Sequence, residues 1–182
     1  MAFDTTLQRR IMGRFAGGVT VVTTRYGDGN QIWGMTANSF TSLSLDPPLV
    51  LVAVDRRNSM CEYMQRGQCF AVNMLTTEQE AISRQFATRG PKDFSGLALT
   101  AAETGAPILA DALAYLDCRV TQTVPGGDHD IFIGEIVAGG INEGQPLLFY
   151  NGRYTRLALS GTGSLATGLE SLEEAYEHYG SF

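Results

Sequence analysis

The chain has 182 residues, and its 13 basic and 19 acidic side chains give a net charge of −6 at pH 7. This length favours one domain with a sizeable core, and an acidic balance without a Lys/Arg run argues against nucleic-acid binding. No apolar run reaches the roughly 20 residues that a membrane helix needs, and no signal-peptide pattern opens the chain. The three scattered cysteines predict neither a disulfide framework nor a zinc site. We therefore expect a cytoplasmic protein without a metal.

The first elements in chain order are a short helix and a β-hairpin. Asp4 is predicted to cap a helix that carries Leu7 and Ile11 on one face and ends near Gly13. The Asp28-Gly29 pair is typical of a hairpin turn between two apolar runs. Apolar and β-branched runs that predict strands recur at 18–24, 32–37, 49–54, 69–75, 115–124, 131–141 and 147–159.

Two further helices are predicted between the strands, each beginning with a capping box. Ser59 is followed three residues later by Glu62, and Thr77 by Glu80, so each hydroxyl can accept from a free backbone N–H. Gly67 and Gly90 are predicted to end these helices. The second helix places Ile82 and Phe86 on one face.

The strands predict a mainly β fold. Residues 115–124 alternate between apolar and polar side chains, which is the period of a half-buried strand. The pattern favours a β-barrel with a few short covering helices over repeated βαβ units. After residue 159 the composition changes to a Gly/Ser/Thr-rich stretch and then an acidic helical one, so we predict one domain over residues 1–159 and a linker and helical tail over residues 160–182. The 160–168 stretch lacks the G-x-G-x-x-G spacing of a dinucleotide loop, which favours a linker.

The stretch "GMTANSFTSLSLDPPLVLVAV" (34–54) places many hydroxyl and amide side chains directly before a buried strand. Hydroxyls and free backbone N–H groups in a bend can bind an anion without a lysine, which suggests a phosphate-bearing ligand. The alternative is that Thr36, Ser39, Ser42 and Ser44 satisfy the backbone of their own turn, as Ser and Thr often do.

A histidine forms the second candidate site. His129 follows Gly126-Gly127 at the start of a predicted strand, where it could hydrogen-bond a phosphate or carboxamide or supply a proton. An ordinary hairpin turn with a surface histidine is the alternative. The polar residues near the last strand could belong to a site or to a dimer rim: Tyr150, Arg153, Tyr154 and Arg156.

Six segments together resemble the flavin reductase family, the small reductase components of two-component flavin-dependent monooxygenases. They are "FAGGVTVVTT", the 34–54 stretch quoted above, "NSMCEYMQRGQCFAVNML", "TGAPILADALAYLDCRV", "GGDHDIFIGEI" and "PLLFYNGRYTRL". The resemblance covers residues 3–158. It implies a mainly β (α+β), Greek-key FMN-binding split β-barrel that forms a homodimer with the flavin at the interface.

The resemblance also implies an activity and its ligands. Such a protein uses NADH or NADPH to reduce FMN or FAD by hydride transfer, and it supplies the reduced flavin to a separate monooxygenase. Alternatives on the same barrel are a reductase of another acceptor, such as a cobalt corrinoid or a ferric complex, and a non-catalytic flavin- or haem-binding module.

The matching motifs imply which residues form the site. The flavin ring is expected against Thr36, Ala37, Asn38 and Ser39, and its phosphate against Ser42, Leu43 and Ser44. His129 is the implied catalytic residue on the nicotinamide side, with Tyr154 beside it. Five further residues are implied to face the flavin or line its far end: Asn58, Ser59, Asn73, Phe86 and Phe94.

The chain departs from the family pattern at one cation. The family reads Asp-Lys-Phe where this chain reads Lys92-Asp93-Phe94, so Arg89 is a rival to Lys92 for the phosphate. The tail after residue 159 has no counterpart in the resemblance.

Overall fold

Three helices and twelve strands form the protein, in the computed structural model that describes residues 3–28 and 31–158. The helices are α1 (Thr5–Met12), α2 (Ser59–Gly67) and α3 (Glu80–Ala87), with a 3-10 turn at Thr77–Gln79. The strands are β1 (Gly17–Gly18), β2 (Thr20–Tyr26), β3 (Gln31–Ala37), β4 (Phe40–Leu45), β5 (Pro48–Asp55), β6 (Cys69–Met74), β7 (Leu99–Thr100), β8 (Ile108–Leu109), β9 (Ala114–Gly126), β10 (His129–Ile141), β11 (Leu148–Tyr150) and β12 (Arg153–Thr155).

Seven of the strands form one antiparallel sheet in the order β3-β2-β6-β9-β10-β5-β4. Its two edges, β3 and β4, are consecutive in the chain and joined by Asn38 and Ser39 alone. Strands β1, β11 and β12 form a small second sheet, and β7 pairs with β8. The sheets do not close into a full barrel, which agrees with the predicted split-barrel class.

The apolar alternation of the strands places the core. One cluster packs strands β2, β5, β6 and β10 against α2, with Phe70, Phe132 and Met64 fully buried. A second cluster lies between the sheet and α3 and includes Val21 and Phe86. Residues Thr20 to Thr24 are all buried, so β2 is covered on both faces. No helix among the described residues is long and apolar enough to span a membrane.

Most predicted elements are confirmed, but two of the three predicted helix caps lie one residue earlier in the chain. Asp4 caps α1 by accepting from Thr6 N at 2.8 Å, and β2 and β3 form the predicted hairpin, although its Gly29 lies outside the described residues. The cap predicted at Ser59 is wrong, because Asn58 accepts from Met60 N at 3.0 Å. The cap predicted at Thr77 is also wrong, because the reciprocal contact joins Thr76 N to Gln79 Oε1 at 3.0 Å.

The helix ends and the β9 alternation also differ in detail. Helix α2 ends at Gly67 as predicted, but α3 ends at Ala87, because Thr88 is already extended. Asp117, placed by alternation on the polar face of β9, is fully buried. Its carboxylate accepts from the Thr104 backbone N–H at 2.8 Å and from the Thr104 hydroxyl. The predicted linker and tail lie outside the described residues.

Gly67 provides a test of how closely α2 approaches β2. A Cβ added at Gly67 would lie 2.0 Å from the backbone oxygen of Arg25. Alanine ordinarily favours a helix over glycine by about 1 kcal/mol, but overpacking against backbone costs about 1 to 3 kcal/mol or more. We therefore expect Gly67→Ala to lower the free energy of unfolding, measured by urea denaturation.

Gly18 is the matched control for that substitution. An added Cβ there meets no atom within 4 Å, and its φ is not left-handed. Gly18→Ala should therefore leave the denaturation midpoint nearly unchanged. Equal stability of the two variants would contradict the close approach.

Candidate functional site

A cleft opens where the exposed edge of β3 meets the C-terminal end of α3. The larger of its two cavities is about 360 Å³ and lies between Trp33, Met35 and Phe86 on one side and the segment from Thr88 to Lys92 on another. Asp55, Arg57, Asn58 and Ser59, at the end of β5 and the start of α2, complete its wall. A cavity of this size is in the range of small-molecule sites.

The second cavity continues the first one. It is about 240 Å³ and is lined by Thr36, Ala37 and Asn38 together with Tyr154 and Phe149. Thr36 and Ala87 line both cavities. The Thr36–Asn38 stretch singled out from the sequence therefore forms part of the wall of one extended cleft.

The rim of the larger cavity is positively charged, in contrast to the whole chain. Arg57, Arg89 and Lys92 line it against one carboxylate, Asp55. Arg57 Nη2 and Asp55 Oδ2 are 2.6 Å apart, and this hydrogen-bonded pair holds the pKa of Asp55 well below its usual range. Arg89 makes no ion pair within the described part of the chain. A net positive rim beside an apolar wall suits a ligand with a flat apolar part and an anionic group.

The two rival cations differ in their surroundings. The Lys92 ammonium donates to the backbone oxygen and to the hydroxyl of Thr88, and desolvation by burial lowers its pKa. Arg89 is exposed. Both line the larger cavity, so the structure brings the two candidates together.

The N-terminus of α2 points its first turn at the same cavity. Asn58 and Ser59 both line it, and Asn58 is the residue that caps the helix. The positive end of a helix dipole favours an anion there. Both residues therefore line the cleft, and their contact with a flavin stays a prediction.

Two predicted hydroxyls hydrogen-bond the backbone of other elements. Thr36 Oγ1 donates to the Ser83 carbonyl at 2.6 Å, and Ser39 Oγ donates to the Ala53 carbonyl at 2.7 Å. The alternative interpretation is that these hydroxyls satisfy the backbone of their own turn. Both do bond backbone oxygens, but the acceptors lie on α3 and β5. The proton of Thr36 is committed, so this oxygen can only accept from a ligand.

The predicted phosphate-binding residues lie on the other edge of the sheet. Ser42, Leu43 and Ser44 are in β4, where a bulge between the two serines leaves Leu43 as the extra residue, 46% exposed. None of the three lines either cavity. They lie beyond Ser39 along the same chain segment, on a surface that the described residues leave open.

Asn73 and Phe94 do not line the cleft, and Phe86 lies between the interior and the larger cavity. Asn73 is fully buried, donates to Val21 O at 2.9 Å and Thr23 Oγ1 at 3.2 Å, and accepts from Leu109 N at 2.8 Å. Phe86 lines the larger cavity and packs edge to face on Phe94, which does not. The side chain of Asn73 thus holds strands together and does not face the cleft.

His129 lies next to the cleft, one strand from its wall. It begins β10 and pairs in register with Asp55, which lines the larger cavity. Its Nδ1 is 2.7 Å from Asp128 Oδ1, and its side chain is 40% exposed. This hydrogen bond lowers the pKa of Asp128. With Nδ1 donating to the carboxylate, the neutral ring keeps Nε2 as an acceptor.

Sequence reasoning missed residues both in the wall of the cleft and behind it. Trp33 lines the larger cavity, and its indole N–H is buried without a hydrogen-bond partner among the described residues. Ser83 is fully buried and its hydroxyl is 2.8 Å from the Tyr154 hydroxyl. The only sequence signal for Ser83 is its position three residues before Phe86, on the same face of α3.

The three cysteines are free thiols and all are buried. Burial raises the pKa of Cys61 to about 11 and that of Cys118 to about 12, so neither provides a reactive thiolate. Within the described residues no group of three or more metal-binding side chains comes together.

Comparison with known proteins identifies a family for this arrangement. The family model described as "Flavin reductase like domain" matches residues 12–158. An NADH-dependent flavin reductase of Rhodococcus sp is 39% identical over 154 residues, which cover 84% of this chain and 86% of the relative. The reductase subunit HsaB of a flavin-dependent monooxygenase from Rhodococcus jostii is 38% identical over 155 residues, 85% of this chain and 78% of the relative.

A solved structure is similar over nearly the same range. It is the Streptomyces globisporus C-1027 NADH:FAD oxidoreductase SgcE6 in complex with NAD and FAD fragments. The TM-score is 0.81 at 39% sequence identity, and the match covers 87% of this chain and 96% of that one.

Proposed function

The chain belongs to the flavin reductase like domain family, and on that premise we propose that it is an NAD(P)H:flavin oxidoreductase that reduces FMN or FAD. The observation that carries the proposal is the cleft, whose apolar wall of Trp33, Met35 and Phe86 adjoins a rim of Arg57, Arg89 and Lys92. An apolar wall suits a flavin ring, and the cations suit its phosphate. The residues present therefore fit a flavin.

The chemistry asked of the protein is limited to binding and orientation. A bound flavin supplies the hydride acceptor and the nicotinamide supplies the hydride. The chain must hold the two rings about 3 to 3.5 Å apart and aligned. Thr36 and Ala37 lie in β3, whose outer edge pairs with no strand among the described residues and can offer its backbone to the ring. Thr36 adds one hydroxyl acceptor. No nucleophilic side chain is required.

The individual site residues have different support. Asn58, Ser59, Arg89 and Lys92 are proposed at the phosphate end, and Thr36 to Asn38 with Tyr154 at the ring, because these residues line the cleft. Ser39, Ser42, Leu43 and Ser44 remain proposed contacts on the adjoining surface. For Asn73 and Phe94 we propose an indirect role, since neither lines the cleft. Phe94 packs on the wall residue Phe86, and Asn73 holds neighbouring strands together. His129 is proposed on the nicotinamide side.

The relatives support a proposed donor and partner, and the buried thiols support a proposed location. Names such as NADH-dependent flavin reductase support NADH as the first donor to try, and the monooxygenase reductase subunit supports a separate oxygenase that accepts the reduced flavin. We further propose a cytoplasmic location, because three buried free thiols suit a reducing compartment.

We also propose a homodimer. Helix α1 has no buried residue, and its apolar face, with Leu7, Ile11 and Met12, is exposed together with Phe15 and Ile141. Exposed apolar surface of this extent is typical of an interface, and most such interfaces are two-fold. A second subunit would also extend the cleft beside Ser42 and Ser44.

The purified protein should oxidise NADH rapidly only when FAD or FMN is added or already bound. The rate of loss of the 340 nm absorbance, measured with NADH and NADPH and with each flavin, tests the function directly. Retained flavin with weak stimulation by added flavin would favour another acceptor. No oxidation at saturating flavin would favour a non-catalytic binding module.

The two ends of the proposed site should fail differently. Replacing Ser42 and Ser44 by Ala should weaken flavin binding by about 1 to 3 kcal/mol, the range for charged hydrogen bonds, and leave the nicotinamide side unchanged. Replacing His129 by Ala should leave flavin affinity nearly unchanged and raise KM for NADH or lower kcat. Flavin fluorescence titration and steady-state rates measure both.

Each variant has a control of the same residue chemistry. Thr41→Ala removes an exposed hydroxyl of β4 that is not among the proposed phosphate contacts, and His178→Ala removes the other histidine, which lies outside the described residues. Wild-type NADH kinetics for His129→Ala would remove His129 from the site, and wild-type flavin affinity for the double serine variant would remove Ser42 and Ser44.

A chain truncated after residue 159 should remain a dimer and retain NADH oxidation. The family match ends at residue 158, and Gly-rich stretches such as 160–168 are typical of linkers. Light scattering should give about twice 19.7 kDa for the full chain. A monomeric full chain contradicts the dimer, and a folded truncated dimer without activity contradicts a dispensable tail.

A further inference from the structure

We propose that Ser83 is a positioning residue for the reductase reaction, acting through the Tyr154 hydroxyl. The inference rests on the proposed function and adds a residue that does not itself line the cleft. Ser83 lies on α3 and is fully buried. Its hydroxyl is 2.8 Å from the Tyr154 hydroxyl, 71 residues away in the chain.

Tyr154 separates two cavities. It lines the cavity of about 240 Å³ next to Thr36 and Asn38, and also an outer cavity of about 480 Å³ bounded by Arg84 and Arg153. A rotation of its ring would therefore change the shape of both cavities. The orientation of the Tyr154 side chain therefore helps to shape the smaller cavity of the cleft, where the rings are proposed to stack.

Three contacts hold the Tyr154 ring, and two come from consecutive residues of α3. The Arg84 guanidinium lies over the ring at 4.7 Å and is itself fixed by Glu80 at 2.6 Å. Phe149 packs edge to face at 5.3 Å. These contacts hold the plane of the ring, but the hydrogen bond to Ser83 is the contact that fixes its hydroxyl end.

Ser83 also fixes the second wall residue, through its backbone. Its carbonyl accepts from the Thr36 hydroxyl at 2.6 Å. Ser83 thus joins Thr36 on β3 to Tyr154 on β12, at the two sides of the smaller cavity. Replacing its side chain breaks only the Tyr154 contact, because the carbonyl remains.

Loss of this contact should affect the reaction more than flavin binding. The proposed phosphate-end residues Ser59, Arg89 and Lys92 line the larger cavity, which Tyr154 does not line, so we expect them to keep their positions. A misplacement of about 1 Å at a reacting pair costs up to about 100-fold in rate. For Ser83→Ala we expect kcat/KM for NADH to fall about 10-fold, and the flavin Kd to change less than about 3-fold.

Thr24→Val is the matched control. Thr24 is fully buried, lines neither cavity of the cleft, and donates from its hydroxyl to the Cys69 carbonyl at 2.7 Å. It loses one buried hydrogen bond, as Ser83→Ala does, so both variants should melt at lower temperature. Only Ser83→Ala should change kcat/KM. Equal kinetics of the two folded variants would show a merely structural role and overturn the inference.

A double-mutant cycle with Tyr154→Phe tests the route of the effect. If Ser83 acts through the Tyr154 hydroxyl, adding Ser83→Ala to Tyr154→Phe should cause no further loss, because the contact is already gone. Additive losses would overturn the inference. If Ser83→Ala does not fold, Tyr154→Phe decides alone: reduced kcat/KM at unchanged flavin Kd supports the inference, and wild-type kinetics overturns it.

The wild-type rate separates this inference from the proposed function. A wild-type protein that binds flavin but oxidises neither NADH nor NADPH overturns the function, and the inference falls with it. Wild-type oxidation together with a Ser83→Ala variant indistinguishable from Thr24→Val overturns the inference alone.

Discussion

The arrangement depends on a two-residue link between the two edges of one sheet. Strands β3 and β4 are neighbours in the chain but lie at opposite ends of the seven-stranded order, so Asn38 and Ser39 must span the split. Two hydrogen bonds join Ser39 to β5. Its hydroxyl donates to the Ala53 carbonyl at 2.7 Å, and its carbonyl accepts from Ala53 N at 3.2 Å. Free backbone on the edge of β3 is thereby held beside a cleft, where an unpaired edge would otherwise be a liability.

The same edge fixes α3 through a close contact with Gly34. A Cβ at Gly34 would lie 2.7 Å from the Phe86 ring, so only glycine lets α3 approach β3 this closely. Because Phe86 packs there, Ser83 reaches Thr36 and Tyr154, and Ala87 lines both cavities. The polar wall of the cleft is therefore a consequence of apolar packing one turn away.

Local sequence patterns predicted the structural features that depend on residues close together in the chain. The α1 cap at Asp4, the β2–β3 hairpin and the apolar face of β9 follow from turn chemistry and side-chain period. The α2 cap was misplaced because Asn58 and Ser59 are both good caps and sequence does not rank them. The buried Asp117 could not be foreseen, since its partner Thr104 lies on an irregular segment 13 residues away.

The site was predicted only as far as its motifs extend along the chain. Thr36 to Asn38, Asn58, Ser59 and the cations come together because they end or begin elements that meet at the cleft. Ser83 was missed because its contacts to Thr36 and Tyr154 span 47 and 71 residues, and no local pattern marks such pairs. Asn73 is part of a matching motif, yet its side-chain amide hydrogen-bonds strands β2 and β8.

The local charge of the cleft explains how an acidic chain can bind anionic ligands. The net charge of −6 disfavours a dinucleotide at long range, but such repulsion is screened beyond about 8 Å at physiological ionic strength. Among the residues that line the larger cavity, Arg57, Arg89 and Lys92 outnumber Asp55. Because Asp55 is paired with Arg57 at 2.6 Å, Arg89 and Lys92 are the lining cations without an ion pair in the described part of the chain. We therefore propose that selection of the anion resides in these two side chains of the segment after α3, the helix whose Ser83 and Arg84 also contact Tyr154.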